Sequence, residues 1–325
     1  MREWFRETGR RPHRFAGLVA FAIAIMAVSS AFAIDTVDLP DATSGWILPD
    51  AGALGRPASE MGSIEIRGVG ELTFDPTAVE TLRPDLFVEG QFSVFDVLVH
   101  LADTGLIELE YTFDEAAQTH VVQTVNGLNG WWYDAHYGGG SFDKTVVRMD
   151  CFPVKDGMSI VLYLEDTDRL AAIHAHYREE VTRKGEDVLV VPLVVLRSAA
   201  EKIEFTDVAV TSHNARPDVF QPGTLTILDV LLSLGEQGAL DGLKLEWRAT
   251  EDDIAVIDGY YVVSIRAGDF APERTGNCVL THQIGGATIQ DYLTPHSHTM
   301  SHIHLTGDLE ALVAPGTVEW LWVCL

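Results

Sequence analysis

An internal repeat constrains the fold of this 325-residue chain more than any other feature of its sequence. Residues 84–105 align without a gap onto residues 217–238, an offset of 133, and nine of the 22 positions are identical. The identities include a Pro-Asp pair, a Phe, a Gly and a later Asp-Val-Leu. Because repeats of solenoids are only about 20–50 residues long, a period of this length indicates two duplicated domains.

Each copy of the repeat carries the signals of one short helix. A Ser or Thr stands where an N-cap belongs, and an Asp follows three residues later, as in a capping box. Apolar residues then recur at helical spacing until a Gly ends the pattern. The N-cap residue, the Asp of the capping box and the final Gly are Ser93, Asp96 and Gly105 in the first copy, and Thr226, Asp229 and Gly238 in the second. The apolar stripe of each helix requires a sheet to cover.

Alternating apolar and polar runs predict the strands of that sheet. They are residues 64–66, 108–112, 120–125, 145–149 and 159–164 in the first copy, and residues 244–247, 261–265, 278–282 and 301–305 in the second. Residues 188–196 are mostly β-branched or Leu, but Pro192 predicts an edge strand or an interdomain connector rather than a central strand. Each copy is thus expected to pack one helix on a mixed sheet, and this arrangement predicts an α+β fold of two tandem β-grasp-like domains.

Four elements of the first copy occur in the order found in a known family. A helix of this kind, an Asn-Gly turn, a Trp-Trp-Tyr strand and a Lys-Asp-Gly turn occur at residues 92–98, 125–127, 129–133 and 154–160. Residues 63–165 thereby resemble the β-grasp domains similar to the C-terminal domain of transcobalamin. The second copy is diverged, since residues 258–261 read Asp-Gly-Tyr-Tyr and the Lys-Asp-Gly turn is lost. The resemblance implies extracellular ligand binding or adhesion rather than catalysis.

The N-terminal region has the layout of an export signal. Residues 1–14 carry five Arg against two Glu. Residues 15–34 are uncharged, and Ala-Phe-Ala stands near the end of this stretch, at positions 31–33. This pattern is typical of a cleaved secretory signal, or of an uncleaved anchor, because about 20 apolar residues span a bilayer. Either reading predicts an extracytoplasmic protein that is secreted, periplasmic or on the cell surface, with membrane contact only through an uncleaved signal. The expected divisions are residues 1–33 as signal or anchor, 34–62 as linker, and 63–197 and 198–325 as the two domains.

The net charge and the cysteines narrow the functional classes. Twenty-two Lys and Arg against 48 Asp and Glu leave a formal charge of −26, which repels phosphate backbones, so nucleic acid is excluded as a partner. Three cysteines allow at most one bridge within the chain, and we expect Cys278 to pair with Cys324. Cys151, in the other half, is expected to be a buried thiol.

A histidine cluster is the clearest candidate site. Four of the 12 histidines, His296, His298, His302 and His304, fall within nine residues. The segment aligns at an offset of 142 onto residues 153–162, which contain no His. On a strand His302 and His304 face one side, and His282 becomes a third ligand if residues 278–282 pair with residues 301–305.

Three imidazoles suit a transition metal such as Zn or Cu. His296 and His298 are expected to complete or cap the site, and Met300 offers copper a soft ligand. The alternatives are solvated surface histidines and a pH-sensing cluster. His174 and His176 form a weaker pair on a segment whose pattern fits either a helix or a strand.

An aromatic run in the first copy is the second candidate site. Trp131, Trp132 and Tyr133 precede a Gly-rich loop and form a candidate stacking platform for a sugar or another planar ligand. Successive strand positions point to opposite faces, so we expect only one of the two Trp side chains to be buried. The outward one is then the contact for a ligand, a glycan or an envelope protein.

Standard catalytic signatures are missing from the sequence, which contains no Gly-x-Ser-x-Gly, no His-Glu-x-x-His and no Walker loop. The leading interpretation is an exported, non-catalytic protein that binds a transition metal through the cluster in its second domain. The alternatives are an adhesive or structural module of the cell envelope without a small ligand, and a copper-dependent oxidoreductase.

Overall fold

The computed structural model describes residues 36–37, 61–137, 147–184, 188–248, 259–272, 278–284, 303–304 and 311–324. The predicted signal or anchor, most of the predicted linker and residues 296–302 lie outside these ranges. Within them, no helix is both long enough and apolar enough to cross a membrane.

Fourteen strands and three α-helices make up the part of the chain that the structure describes. A two-residue strand, β1, spans Thr36–Val37. The first half contains β2 (Gly62–Ile66), β3 (Gly70–Phe74), α1 (Val94–Asp103), β4 (Leu109–Asp114), β5 (Thr119–Val125), β6 (Trp131–Tyr137), β7 (Met158–Leu164) and α2 (Thr167–Arg183). The second half contains β8 (Leu189–Arg197), β9 (Lys202–Val210), α3 (Ile227–Glu236), β10 (Gly242–Arg248), β11 (Gly259–Arg266), β12 (Cys278–Ile284), β13 (Ile303–His304) and β14 (Thr317–Cys324).

The two halves share one sheet topology. The first sheet has the order β3-β2-β7-β6, with β2 and β7 parallel and the outer pairs antiparallel. The second has the order β9-β8-β14-β12 with the same directions, and β13 adds a fifth strand. Each half also has a separate hairpin, β4–β5 or β10–β11, and β1 pairs with β10. The protein is therefore a mixed α+β fold whose duplication extends beyond the repeated sequence.

The helix caps have the predicted capping-box arrangement. Asp96 accepts the backbone N–H of Ser93 at 2.7 Å, and its own N–H donates to Ser93 Oγ at 3.2 Å. In the second copy Asp229 accepts the N–H of Thr226 at 2.7 Å and its hydroxyl at 2.9 Å. These bonds satisfy N–H groups that the first helical turn leaves unpaired, and they fix where each helix begins.

Two hydrophobic cores lie beneath these helices. In the first core, the apolar stripe of α1 packs against the inner faces of β2, β6 and β7. In the second core, the apolar stripe of α3 packs against β8, β12 and β14. Leu98 and Leu231, at equivalent positions of the repeat, are both fully buried. The apolar period of the sequence thus located the core face of both helices.

Helix α2 has no counterpart among the described residues of the second half. It docks through a buried ion pair in which Arg148 Nη1 lies 2.6 Å from Glu180 Oε2, and the Arg148 guanidinium lies 4.2 Å from the Tyr177 ring centroid. Arg178 and Asp114 form a second ion pair at 2.6 Å, between α2 and β4. Residues 173–177, which fitted helix or strand equally from sequence, are helical because these contacts hold the segment against the first core.

The prediction for residues 188–196 was wrong, because β8 lies in the centre of its sheet between β9 and β14. Pro192 has no N–H to donate, and the sheet avoids needing one. The parallel pairing with β14 begins only at Leu193, and on the other side Pro192 is opposite Asp207, which has a φ of +52°, at the one position where the β8–β9 ladder lacks a pair. The ladder to β9 lacks a pair at this one position, and the interior strand thus accommodates a proline that sequence rules assign to an edge.

Two further predictions about strands were wrong. Residues 147–149 of the predicted strand 145–149 are not extended, and a 3-10 turn spans Met149–Cys151. The alignment at offset 142 also fails, since the strand equivalent to β7 is β14 rather than residues 301–305. The bridge from Ser93 to Pro153 corresponds to the bridge from Thr226 to Ala311. Short matches of Pro, Met and Ser carry too little information to determine which strands correspond.

The repeat segments themselves form the contact between the halves. Phe87 forms an antiparallel bridge with Phe220, its counterpart at offset 133, and their rings are stacked with centroids 5.6 Å apart. The two hydrogen bonds that flank the bridge, related by the same offset, run from Val88 N to Val219 O and from Gln221 N to Leu86 O. Equivalent atoms that bond reciprocally indicate a local two-fold axis, as in an isologous dimer interface.

Candidate functional sites

The backbone brings two of the predicted imidazole ligands together. Strand β12 pairs antiparallel with β13, and His282 is directly opposite His304. Directly opposed residues of an antiparallel pair have Cβ atoms about 4.5–5.5 Å apart on the same face of the sheet. The predicted pairing of the segments 278–282 and 301–305 is therefore confirmed at these positions.

The His282 side chain lies on the core face of the second sheet. It is fully buried, and its ring centroid is 5.0 Å from that of Trp320, which is directly opposite on β14. The indole Nε1 of Trp320 is also buried, and none of the residues that the structure describes accepts a hydrogen bond from it. This end of the sheet thus holds an imidazole and an indole N–H donor side by side.

The remaining predicted ligands, His296, His298 and His302, lie outside the described residues, as do the side chains of residues 303–304. Among the residues that are described, no group of three or more His, Cys, Asp or Glu side chains is arranged to hold a metal ion. The weaker pair does not converge, since His174 and His176 are two positions apart on helix α2 and so point in different directions. His176 lies 3.3 Å from Glu180, whereas His174 faces Trp132.

The prediction that one of two tryptophans faces outward was wrong, because Trp131 and Trp132 are each only 4% exposed. They do lie on opposite faces of β6, but the Trp132 ring contacts His174 of α2, a segment that the sequence pattern left open between helix and strand. Tyr133 is not a platform either, since it is fully buried and its hydroxyl donates to the Val147 carbonyl at 2.8 Å. No outward Trp is left at these positions to contact a glycan or an envelope protein.

The two tryptophans instead help to form a cleft. The cleft lies where β5 and β6 separate into different sheets, with helix α2 beside them, and has a volume of about 60 Å³. We call it the β5–β6 cleft. Its lining includes Trp131, Trp132, His120, His174, Leu170 and Tyr177.

His120 is the most firmly held polar group of the β5–β6 cleft. Its Nδ1 and its backbone N–H both contact Asp150 Oδ2 at 2.9 Å, and its ring stacks on Phe95 with centroids 5.0 Å apart. Asp150 also accepts the Thr119 hydroxyl at 2.6 Å and Arg83 Nη1 at 3.1 Å. Burial alone would raise the pKa of Asp150, but these donors lower it, so the group is a carboxylate that orients the imidazole.

Sequence reasoning missed this arrangement because His120 and Asp150 are 30 residues apart and belong to no motif.

Cys151, adjacent to Asp150, is a buried free thiol as predicted, and burial raises its pKa well above the usual range. It is therefore not a nucleophile at neutral pH. The register of β12 and β14 pairs Cys278 with Cys324, so the predicted bridge would join two opposed strand positions, and it stays a prediction.

No known family model, curated protein or solved structure matches the chain.

Proposed function

We propose that the chain is an exported, non-catalytic ligand-binding protein of two β-grasp-like domains, and that it binds a transition metal through His282, His302 and His304. The parallel pairing of the first and last strands of each half, with a helix over the sheet, supports the β-grasp-like assignment. Zn²⁺ and Cu²⁺ are the ions that a set of imidazoles prefers.

The single observation that carries the metal site is the backbone register of β12 and β13. His282 and His304 share one face at neighbouring positions, which is the spacing that two ligands of one ion require. His302 is two residues before His304, and would point to the same face if the strand continues. The formal charge of −26 also favours this function, because an acidic surface raises the local concentration of cations.

Calorimetric titration with Zn²⁺ of the exported, untagged chain tests the proposal. We expect one ion to bind per chain, and the double variant His302→Ala/His304→Ala to bind at least tenfold more weakly because two of three ligands are gone. The variant His100→Ala, which removes an imidazole from α1, should bind as the unmodified chain does. Equal affinity of the double variant and the unmodified chain would remove the site.

A further inference from the structure

We propose that the outer edge of strand β4 is a docking site for an extended segment of a partner protein, one whose side chains alternate between apolar and basic. In the part of the chain that the structure describes, β4 pairs only with β5. Its other edge, here called the β4 edge, therefore has no neighbouring strand among those residues. Backbone N–H and C=O groups along such an edge can pair with an added strand.

The hairpins of the two halves correspond position by position. Each has one irregularity in its register, between Glu110 and Tyr111 in β4 and between Lys244 and Leu245 in β10. Two positions beyond each irregularity, an aromatic side chain packs edge-on against the ring directly opposite it on the other strand. These pairs are Phe113 with His120, at 4.9 Å between centroids, and Trp247 with Tyr260, at 5.0 Å.

In the second half, the edge that corresponds to the β4 edge is occupied. Strand β1 pairs antiparallel with β10, with Val37 opposite Leu245 and Thr36 opposite Glu246. Leu245 is fully buried, whereas its equivalent in the first half, Tyr111, is 40% exposed. The fold thus accepts an antiparallel strand at this edge in one half, and no described strand takes the same place in the other.

One face of β4 favours apolar side chains on the added strand. Alternation along β4 places Tyr111 and Phe113 on this face, and both are exposed. Their rings are held in place, since Tyr111 packs edge-on against Phe95 at 5.2 Å between centroids and Phe113 packs against His120. In strand addition, main-chain hydrogen bonds supply affinity and alternate side chains supply specificity. Apolar side chains at alternate positions of the partner would cover these two rings.

The opposite face of β4 favours basic side chains. It carries Glu110 and Thr112, both exposed, and the exposed Glu108 stands just before the strand. Asp114, the next residue on this face, is already paired with Arg178 at 2.6 Å. Opposite charges at opposed strand positions attract and like charges repel. The same rule, together with the formal charge of −26, disfavours a second copy of this chain as the partner.

The peptide acetyl-Lys-Val-Lys-Val-Lys-Val-Lys-amide is a probe with this alternation. In a calorimetric titration of the full chain at physiological ionic strength, which screens distant charges, we expect saturable binding in the millimolar range or tighter. Two versions keep every side chain and charge, but one is N-methylated at its valines and the other at its lysines. Only alternate N–H groups of an added strand face its neighbour, so one version should bind at least tenfold more weakly than the other. Equal binding of the two versions would overturn the proposal.

Two charge reversals at exposed strand positions locate the binding. Glu110→Lys, on β4, should weaken binding of the unmethylated peptide at least fivefold. Glu71→Lys makes the same change on β3, the edge strand of the first sheet, and should leave the affinity nearly unchanged. Equal losses in the two variants, or no saturable binding by the unmodified chain, would overturn the proposal.

Sedimentation equilibrium tests the other occupant of the β4 edge, a second copy of the chain. Without peptide we expect the unmodified chain to be a monomer at the concentrations of the titration. A dimer whose dissociation constant changes in Glu110→Lys and not in Glu71→Lys would assign the edge to a second copy and overturn the proposal. The metal titration is unaffected by these outcomes, because its proposed ligands lie in the other half.

Discussion

At the scale of single residues, the buried charged groups of this protein are held by specific partners. His213 illustrates the consequence most clearly. Its Nδ1 lies 2.9 Å from Asp229 Oδ1 and its Nε2 lies 3.1 Å from Glu236 Oε1, and both carboxylates belong to helix α3. Burial would lower the pKa of His213, but the two carboxylates more than offset it and raise the pKa above its usual value.

The raised pKa predicts a stability that depends on pH. The protonated imidazole is favoured in the folded state, so its contribution is fully present below the unfolded pKa of about 6.5 and is lost as the pH rises through the higher folded value. In urea unfolding, the stability difference between the unmodified chain and His213→Gln should therefore decrease from pH 6 to pH 9.

Glu236→Gln is the matched control for this linkage. It removes one of the two carboxylates and should bring the pKa of His213, followed by the NMR shift of its ring protons, closer to the ordinary value. A stability difference that stays constant between pH 6 and pH 9 would contradict the explanation.

At the scale of secondary-structure elements, a missing pair in the β8–β9 ladder accommodates a proline in a central strand. Asp207 is opposite Pro192 and has a φ of +52°, a left-handed conformation that costs an ordinary residue about 1–2 kcal/mol. Asp and Asn tolerate this conformation better than branched residues do. The side chain of Asp207 is exposed, so a substitution there acts mainly through the backbone.

Substitutions at Asp207 test this left-handed backbone conformation directly. Asp207→Val should destabilise the protein by about 2 kcal/mol, because a β-branched residue is strained at positive φ. Asp207→Gly should leave the stability unchanged or raise it slightly, because Gly adopts this conformation without strain. Thermal unfolding of both variants checks the prediction, and a Val variant as stable as the Gly variant would show that residue 207 is not held at a positive φ.

At the scale of the whole molecule, the two halves contact each other through the repeated segments, residues 84–105 and 217–238. Val219 and Phe220 belong by sequence to the second copy, yet both pack in the core of the first half. Arg183 Nε, at the end of α2, also donates to the Ala314 carbonyl of the second half at 3.1 Å. The contact between the two halves, with its local two-fold axis, thus resembles the interface of a dimer whose two subunits are joined in one chain.

Removal of the interfacial ring should weaken this coupling. We expect Phe220→Ala to lower the unfolding free energy by about 3–5 kcal/mol, the usual cost of truncating a buried Phe. The urea transitions followed by tryptophan fluorescence and by far-UV circular dichroism should also cease to coincide, since the two cores would unfold separately.

Phe113→Ala is the comparison for that variant, since Phe113 is 39% exposed and distant in sequence from the interface. It should cost less and leave the two transitions coincident. Coincident transitions in Phe220→Ala would instead show that other contacts suffice to couple the halves.

The sequence by itself determined the elements whose signals are local or repeated. Ser93 with Asp96, and Thr226 with Asp229, marked both helix starts because a capping box lies within a single turn. The apolar stripe identified the buried side of each helix, and the offset of 133 revealed the duplication. Alternation on strands predicted that His302 and His304 share a face, but the opposition of His282 and His304 depended on a strand pairing that the sequence analysis had only assumed.

Only the tertiary structure decided what covers each face and which distant groups meet. Helix α2 covers Trp132, although the alternation rule had predicted that one of Trp131 and Trp132 would be exposed, since that rule states which way a side chain points and not what lies beyond it. The meeting of His120 with Asp150, and of Phe87 with Phe220, depends on packing between segments that no local pattern relates. Such contacts follow from how the sheets and helices pack in three dimensions, so they emerge only once the chain is folded.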